Sequence, residues 1–502
     1  MKYLKLFKDH DNDYVPYINS DNCILPNLSY CKNQNETHLN KFDYSKCYLT
    51  FTARESGTIS FNIWKSMGTN MITSISYSTD NGETWTTTQN QDNKEEHLAI
   101  NVNVNAGDEI LWKGVATQTG YNDEDDYGDY VGSFFSSDCE FDAKGNVMSL
   151  LYGDNFKNQT TIEEDGTFCC LFYDYDEEKT CSIVNTKDLV LPATTLTKNC
   201  YNSMFHGCTS LTTAPELPAT ILASFCYYGM FSSCTSLTKA PELSTTTLAN
   251  GCYSRMFSGC TLTTAPELPA TTLFDYCYEY MFFDCTSLTT PPELPATTLA
   301  LCCYSNMFLD CTSLTTAPEL PATILAYYCY AYMFAGCTSL TTPPELPATT
   351  LANYCYKYMF SGCTSLSTVP ELPATTLIID CYGSMFSGCT SLTTAPELPA
   401  TTLADYCYFS MFSGCTSLTS APELPATTLA YNCYNGMFDG CTSLNYIKAM
   451  FTTTPGSSYT QYWVSSVASS GTFVKNSAAT WNLMGVNGVP NGWTVQTANV
   501  YD

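Results

Sequence analysis

Two cysteines recur at fixed positions in the second half of the chain, and their spacing limits the chemistry that they can do. They stand eight residues apart, as at Cys355 and Cys363 and again at Cys381 and Cys389. Eight residues of helix span about 12 Å, which is beyond the reach of a disulfide. Zinc needs four converging ligands, and of the four histidines only His206 lies in this region. We therefore expect buried thiols in stacked layers, and the alternatives are metal binding, catalysis or disulfides between layers.

A glutamate recurs with the same period and raises the question of carboxylate chemistry. The row consists of Glu216, Glu242, Glu267, Glu293, Glu319, Glu345, Glu371, Glu397 and Glu423. Glycoside hydrolysis needs two carboxylates in different environments, and identical glutamates do not supply that difference. Stacked carboxylates repel each other, so they need either solvent with local hydrogen-bond donors or bound cations. We expect the solvated arrangement, with cation binding as the alternative.

The third group is aromatic and occupies positions that change from one repeat to the next. Its members are Phe225, Tyr228, Tyr276, Tyr280, Tyr327, Tyr328, Tyr332, Tyr354, Tyr358, Tyr406, Phe409 and Tyr431. They are mixed with Asn, Ser and Gly, a composition typical of adaptable binding surfaces, whereas an idle solvent face more usually carries Lys and Glu. The sequence therefore predicts a ligand-contact surface here. The alternative is that Tyr at the ninth and thirteenth positions of the repeat packs between adjacent helices.

The stretch STDNGETW, residues 78–85, resembles the Asp-box, a β-hairpin motif known from sialidases and other carbohydrate-active proteins. We expect Ser78 and Asp80 to organise the turn, Gly82 to adopt a positive φ and Trp85 to pack beneath it. Sialidase activity would need three arginines around the substrate carboxylate, and the chain has two. The motif is therefore expected to be structural.

The stretch YNDEDDYGDY, residues 121–130, is strongly acidic. Its Asp123, Asp125, Asp126 and Asp129 could hold calcium through carboxylate oxygens. Acidic loops of this kind are more often solvated, and we expect that arrangement.

A repeat of 26 residues sets the positions of the cysteines, glutamates and aromatic residues. One unit reads LPATTLANYCYKYMFSGCTSLSTVPE from Leu346 to Glu371, and its leading Leu, taken as position 1, occurs ten times. The ten are Leu191, Leu217, Leu243, Leu268, Leu294, Leu320, Leu346, Leu372, Leu398 and Leu424, which begin units one to ten. Such a period is typical of a solenoid, in which each unit buries its apolar face against its neighbours.

Within a unit, positions 8 to 16 predict a short amphipathic helix. At about 100° per residue, Cys at 10, Tyr at 11, Met at 14 and Phe at 15 fall on one arc, and the changing positions 8, 9, 12, 13 and 16 fall on the opposite one. Gly at 17, as in Gly362, suits the αL end of such a helix. The Thr pair that follows predicts a very short strand, and the next Pro leaves the sheet.

The chain outside the repeats divides into regions of different character. From Tyr48 onward, short alternating segments such as TISFNIW and LAINVNV are typical of antiparallel strands. Further on, the stretch FCCLF, residues 168–172, resembles a divergent copy of the repeated CYxxMF and predicts a degenerate unit. The predicted boundaries are 1–45 for an irregular attachment segment, 46–143 for a β-sandwich-like domain, 144–190 for a degenerate capping repeat, 191–446 for the ten units and 447–502 for a C-terminal cap.

The C-terminal cap is predicted to close the open end of the repeats. We expect a helix near 462–468 and strands near 472–474 and 493–496. Tryptophans in this region supply a small core.

Composition and charge exclude several classes of function. The chain has 502 residues and a net charge of -28, and 14% of its residues are charged. Nucleic-acid binding needs clustered Lys and Arg, which the sequence lacks. No apolar run approaches the length that spans a bilayer. The first residues, MKYLKLFKDHDNDY, contain no apolar stretch long enough for a secretory signal, so we expect no export signal and free thiols.

The repeated pattern CYxxMFxGCTSLTxxPELPxTxL resembles the BspA-like class of bacterial leucine-rich repeats, found on surface proteins of gut and oral bacteria and in proteins of their phages. The resemblance covers the ten units, roughly half the chain. It implies a leucine-rich-repeat fold and adhesion or contact with a host surface, and it implies no enzyme. The signal peptide and lipoprotein cysteine of cell-surface members are missing here, which favours either a phage virion protein assembled in the cytoplasm or a truncated chain.

We therefore predict an α+β multi-domain protein: an antiparallel β-sandwich, then a leucine-rich-repeat solenoid with one short strand and one short helix per unit, with terminal caps. The predicted function is non-enzymatic adhesion or receptor binding to a cell-surface protein or glycan, without a cofactor, on a phage virion or bacterial cell surface. We expect no nucleic-acid partner and no transmembrane segment, and the chain could form a homo-oligomer or join a virion. The alternatives are a structural spacer of a virion or envelope and a carbohydrate-active enzyme.

Overall fold

Strands dominate the regular structure of the protein. The computed structural model describes residues 42–63, 72–89, 98–116, 119–122, 130–174 and 179–498 and two short strands before them. The strands are β1 Leu6–Lys8, β2 Tyr14–Pro16, β3 Leu49–Ala53, β4 Gly57–Ile63, β5 Ile72–Ser78, β6 Thr86–Gln89, β7 Leu98–Val104, β8 Glu109–Ala116, β9 Gly120–Asn122, β10 Tyr130–Gly132, β11 Phe134–Ser137, β12 Phe141–Asn146, β13 Tyr173–Asp174, β14 Lys179–Thr180, β15 Ile183–Val190, β16 Tyr446–Ala449, β17 Thr472–Lys475 and β18 Thr494–Thr497. The helices of these residues are α1 Ser149–Tyr152 and two 3-10 segments, Tyr44–Lys46 and Gly153–Asn158. None of them has the length and hydropathy of a membrane-crossing helix.

Two sheets form most of the region before the repeats. One has six strands in the order β15-β12-β3-β8-β5-β6, and the other has three in the order β11-β4-β7. Their neighbouring strands pair antiparallel, except for the parallel pair β12 and β15. Buried and less buried residues alternate along β4 and β7, because successive side chains of a strand point to opposite faces. The predicted antiparallel strands are thereby confirmed.

Side chains from both sheets meet around Phe135 of β11. The Phe135 ring centroid lies 4.6 Å from that of Phe51 on β3 and 4.6 Å from that of Phe61 on β4. Trp112 of β8 completes the group at 5.2 Å. All four side chains are fully buried, so the two sheets share one apolar core.

In the repeat region, the constant Tyr and Phe form two continuous stacks. The rings at position 11 follow one another with centroids 5.8–6.0 Å apart, and those at position 15 with centroids 5.5–6.0 Å apart. Phe168 and Phe172, from the segment predicted as a degenerate unit, extend the stacks at one end. Trp463 lies against both stacks at the other end. Each layer therefore buries its constant face against the layers on either side.

The predicted short helix in each unit is wrong. Positions 8 to 16 form a series of tight turns instead, with positive φ at every fourth residue: 59° at Tyr354, 55° at Tyr358 and 76° at Gly362. Right-handed helix requires negative φ throughout, so left-handed residues at positions 9, 13 and 17 exclude it. The helical part of the predicted α+β class is therefore corrected to a mostly stranded chain with few helices.

Hydrogen bonds between units replace those of a helix. The N–H groups of Tyr356 and Tyr358 donate to the carbonyl oxygens of Cys381 and Gly383 in the next unit, at 3.1 and 2.8 Å. The N–H group of Lys357, between them, donates to the carbonyl of Tyr354 at 3.2 Å and closes a turn within its own unit. Alternate amides thus bond within and between units, so the backbone is satisfied only when layers stack.

The Thr pairs do not form the very short strands that the sequence predicts. They form isolated parallel bridges, such as those joining Thr264 to Thr290 and Thr316 to Thr342. At the C-terminal end, β17 and β18 are close to the predicted strands. The helix predicted near 462–468 is wrong, because the chain there repeats the turns of the units, with φ of 54° at Tyr462.

Candidate binding surface

The twelve residues predicted to contact a ligand, called here the aromatic face, are carried by the turn segments. Those at positions 9 and 13 have positive φ, which is uncommon for a bulky side chain and here needs support from neighbouring layers. The N–H group of Tyr354 donates to the carbonyl of Ile379 at 3.1 Å, and that of Tyr358 donates to Gly383 at 2.8 Å. The next layer therefore fixes the backbone from which each tyrosine projects.

Two members of the aromatic face are exposed and the others are half-buried. Tyr327 and Tyr431 are 45% and 50% exposed. Among the half-buried members, the Tyr328 and Tyr354 rings stack with centroids 4.5 Å apart. Tyr332 likewise stacks on its counterpart one layer further along, at 4.6 Å. Packing between adjacent units, the alternative raised by the sequence, thus accounts for part of this surface.

The structure divides the aromatic face into groups. Units six and seven hold the largest, formed by Tyr327, Tyr328, Tyr332, Tyr354 and Tyr358. The smaller groups are Phe225 with Tyr228, and Tyr406 with Phe409 and Tyr431, while Tyr280 of unit four meets Phe283 edge to face at 5.8 Å. The face is therefore a series of aromatic clusters rather than one even surface.

An ion pair that the sequence analysis missed lies inside the largest cluster. The Lys357 ammonium is 5.2 Å from the Tyr354 ring centroid and 5.7 Å from that of Tyr358, and it donates to the Asp380 carboxylate at 2.5 Å. Burial raises the pKa of the Asp380 carboxyl, and the contact with Lys357 opposes that rise. Burial also raises the pKa of Tyr328 to about 12, with Tyr327 adding to the effect. The cluster is thus held together by a cation between tyrosine rings.

A second cation lies on the aromatic face in units three and four. The Arg255 guanidinium is 4.1 Å from the Tyr280 ring centroid. The neighbouring Glu279 is half-buried, and this burial raises the pKa of its carboxyl to about 7, although the charge of Arg255 lowers it. The sequence signal for both cations is that Lys357 and Arg255 are the only basic residues at positions 12 and 13 of the ten units.

The repeated cysteines are buried, as predicted. At position 18, the thiol of Cys363 donates to the carbonyl oxygen of Phe334 in the preceding unit at 3.1 Å, and the thiols of most other units do the same. Burial raises the pKa of the Cys363 thiol well above its ordinary value. A buried, protonated thiol is a poor nucleophile and a poor metal ligand, so these side chains act in packing.

The row of nine glutamates faces solvent along its whole length. Glu423 forms an ion pair with Lys448 at 3.1 Å. Within the part of the chain that the structure describes, no group of three or more His, Cys, Asp or Glu residues could hold a metal ion. The four aspartates considered for calcium, Asp123, Asp125, Asp126 and Asp129, lie outside the described residues.

The hairpin of residues 78–85 joins β5 to β6. The Asp80 carboxylate accepts hydrogen bonds from the Thr84 N–H and hydroxyl groups and from the Ser78 hydroxyl, and these lower the pKa of Asp80 to about 2. Gly82 has a φ of 82° and donates to the Ser78 hydroxyl at 2.8 Å. Trp85 is half-buried, with the Lys113 ammonium 4.0 Å from its ring centroid.

One family model matches the chain, and its description is BspA type Leucine rich repeat region (6 copies). It matches residues 198–341 and again residues 329–462, and together these stretches cover more than half of the 502 residues. No curated protein and no solved structure matches the chain. Proteins with repeats of this type are typically non-enzymatic, often surface-associated, and suited to binding other proteins. With its repeated Leu, Cys, Tyr and Phe stacked layer upon layer, the chain belongs to the BspA-type leucine-rich repeat family.

Proposed function

We propose that the protein is a non-enzymatic adhesion or receptor-binding protein of a bacterial cell surface or phage virion. In this proposal the ten units form a solenoid that presents the aromatic face to a cell-surface protein or glycan. The observation that carries it is the cluster of five tyrosines in units six and seven, where Tyr327 is 45% exposed beside the stacked Tyr328 and Tyr354. Clustered tyrosines supply large contact areas at low entropic cost, which makes them common centres of binding energy.

In the same proposal, the two sheets before the repeats form a β-sandwich that attaches or spaces the array. The Asp80 hairpin at the end of β5 serves as a structural Asp-box there. Support comes from the shared core around Phe135 and from the carboxylate bonds that close the hairpin turn.

The test is binding of purified full-length protein to intact bacterial and animal cells, measured by flow cytometry. The variant combines Tyr327→Asn, Tyr354→Asn and Tyr358→Asn. Other units carry Asn at the same positions, at Asn353, Asn432 and Asn306, so the turns can accept it. We expect cell binding to fall at least about tenfold, because the centre of the contact is removed.

The matched control combines Glu345→Gln with Glu371→Gln, two exposed residues of the same units on the glutamate row. It should bind cells like the parent. Unchanged binding by the triple tyrosine variant, with thermal unfolding like that of the control, would show that the aromatic face does not contact the ligand.

A structural spacer is the second candidate function, favoured by the unbroken stacks of Tyr and Phe that run through all ten units. A spacer needs length and stiffness but no exposed contact residue. Under this alternative, the purified protein binds no cells, and the tyrosine variant assembles into virions or envelopes as the parent does.

A further inference from the structure

Two cations lie over tyrosine rings of the aromatic face. Arg255 lies 4.1 Å from the Tyr280 ring centroid, and Lys357 lies 5.2 Å from that of Tyr354. A cation over an aromatic ring is attracted by the negative charge density of the ring face. Two separate clusters of this face therefore use the same kind of contact.

The cluster in units nine and ten has the rings without the cation. Tyr406 and Tyr431 meet edge to face at 5.5 Å, and Phe409 lies 6.0 Å from Tyr406. The sequence contains no Lys, Arg or His between Lys357 and Lys448, and Lys448 is paired with Glu423. Of the cations that the structure describes, none lies over these three rings.

A carboxylate completes this cluster. Asp405 is exposed, and its Oδ1 accepts a hydrogen bond from the Tyr431 N–H group at 3.0 Å. That bond fixes the carboxylate at the backbone of Tyr431, the most exposed of the three aromatic residues. In unit seven, the Lys357 ammonium lies over the Tyr354 ring and also donates to the Asp380 carboxylate. This pair of contacts shows how a ring and a carboxylate together hold an ammonium.

We propose that Tyr406, Phe409, Tyr431 and Asp405 form a docking site for the Lys and Arg side chains of an extended cationic segment of a partner protein. This inference rests on the proposed function, since it names the chemistry of one contact on the aromatic face. The net charge of -28 attracts such a segment over distance, and the rings and carboxylate then hold its cations at close range. Arginine is the better occupant, because its planar guanidinium stacks on aromatic rings and binds carboxylates through two N–H groups.

The test uses full-length protein and a fluorescent nine-residue peptide made of three Arg-Gly-Ser repeats, followed by fluorescence anisotropy. A second peptide with citrulline in place of arginine keeps the shape and loses the charge. The protein variant combines Tyr406→Asn with Tyr431→Asn, residues that stand at the same positions in other units, at Asn432 and Asn353. We expect the arginine peptide to bind, the citrulline peptide not to bind, and the double variant to weaken binding about tenfold.

Two controls separate this site from general attraction by an acidic protein. Glu371→Gln with Glu397→Gln removes two exposed carboxylates from the glutamate row and should weaken binding less than about twofold at a physiological salt concentration. Asp405→Asn can still accept the Tyr431 hydrogen bond and should weaken binding about threefold. Equal loss in the glutamate and tyrosine variants, or full binding by the tyrosine variant, would overturn the proposal.

The two proposals fail in different ways. If the parent binds cells through Tyr327, Tyr354 and Tyr358 but does not bind the arginine peptide, the cation site is wrong and the adhesion proposal stands. If the peptide binds through Tyr406 and Tyr431 while cell binding survives every aromatic substitution, the cation site stands and the aromatic face is not the adhesive surface.

Discussion

Phe135 and Phe360 are both fully buried phenylalanines, but their neighbours come from different parts of the chain. Phe135 meets Phe51, Phe61 and Trp112, which lie on three other strands of the two sheets. Among the rings that the structure describes, Phe360 stacks on Phe334 and on Phe386, its counterpart one unit further on, both at 5.7 Å. The sheets thus depend on contacts between distant segments, whereas the array depends on nearest neighbours, so the two regions should fail differently when a ring is removed.

Removing one ring from each region tests this difference and should give the largest effects. Phe135→Ala and Phe360→Ala should each cost about 3–5 kcal/mol, because each leaves a cavity in a packed core. We expect Phe135→Ala to increase hydrogen exchange throughout β3, β4, β8 and β11. Phe360→Ala should increase it mainly in units six to eight, as followed by mass spectrometry. If Phe360→Ala loosens all ten units equally, the array is not a nearest-neighbour system.

The Glu279 carboxyl offers a pH test that should affect the array alone. Its pKa in the folded protein is about 7, above the ordinary value of 4.5, so the fold favours the neutral acid. Below pH 4.5 folded and unfolded states are both protonated, and stability falls as pH rises from there to 7, because only the unfolded state ionises freely. Glu279→Gln should therefore gain stability over the parent across this window, up to about 3 kcal/mol.

Chemical denaturation at pH 4, 6 and 8 measures that gain. The control is Glu293→Gln, in the same unit but on the exposed glutamate row, and it should show no comparable rise. A constant difference between Glu279→Gln and the parent at all three pH values would contradict the burial argument.

Substitutions at position 17 can distinguish two contributions to stability, the strain of a left-handed backbone and the contacts between layers. A Cβ at Gly388 would find its nearest neighbour at 3.5 Å, in Gly362, whereas a Cβ at Gly336 would lie 2.0 Å from the Asp310 carboxylate. Gly388→Ala should cost about 1 kcal/mol for the positive φ. Gly336→Ala should cost about 2 kcal/mol, because the Asp310 side chain must also move. Urea unfolding of both variants measures the difference, and equal losses would show that the layers do not restrict this position.

The hairpin at Asp80 should give the smallest effect, confined to the sheets. Hydrogen bonds from Thr84 and Ser78 lower the pKa of Asp80 to about 2 from 3.8. The stability that these hydrogen bonds contribute is fully present above pH 3.8, the ordinary pKa. It is lost as the pH falls through 2, because the carboxylate of the folded protein then also takes up a proton. Asp80→Asn should slightly lower the melting temperature of the sheet region at pH 7 and leave that of the array unchanged. A difference that persists undiminished at pH 2 would argue against the carboxylate as its source.

The buried positions of the repeat could be predicted because each constant residue occupies the same environment in every layer. Cys355, Tyr356, Met359 and Phe360 were assigned to the buried side from their identity across units, and all four are buried. The helix prediction was wrong because the observed turns have nearly the same period as a helix. With a left-handed residue at every fourth position, they place side chains on one face about as often as a helix of 3.6 residues per turn does. Position 9 carries Tyr, Phe, Asn, Asp, Cys or Gly, and such a mixture does not predict a positive φ.

The contacts of the aromatic face were less predictable than its members. The stacking of Tyr328 on Tyr354 and the ion pair of Lys357 with Asp380 both depend on how one turn lies over the next. A helix would have pointed these side chains elsewhere. Their role in binding a ligand stays a prediction from the residue types.

The backbone-to-backbone hydrogen bonds that join the turn segments of successive units run in one direction from unit two onward. From unit two onward, the odd-numbered amides from position 9 to position 17 donate to carbonyl oxygens of the unit that follows, as Tyr356 does to Cys381. The backbone bonding pattern is therefore the same at every junction from unit two onward. Unequal recombination within the gene could insert or delete whole repeat units and still leave each donor facing an acceptor. The reach of this protein can thus change by unit steps during evolution, with both ends of the array preserved.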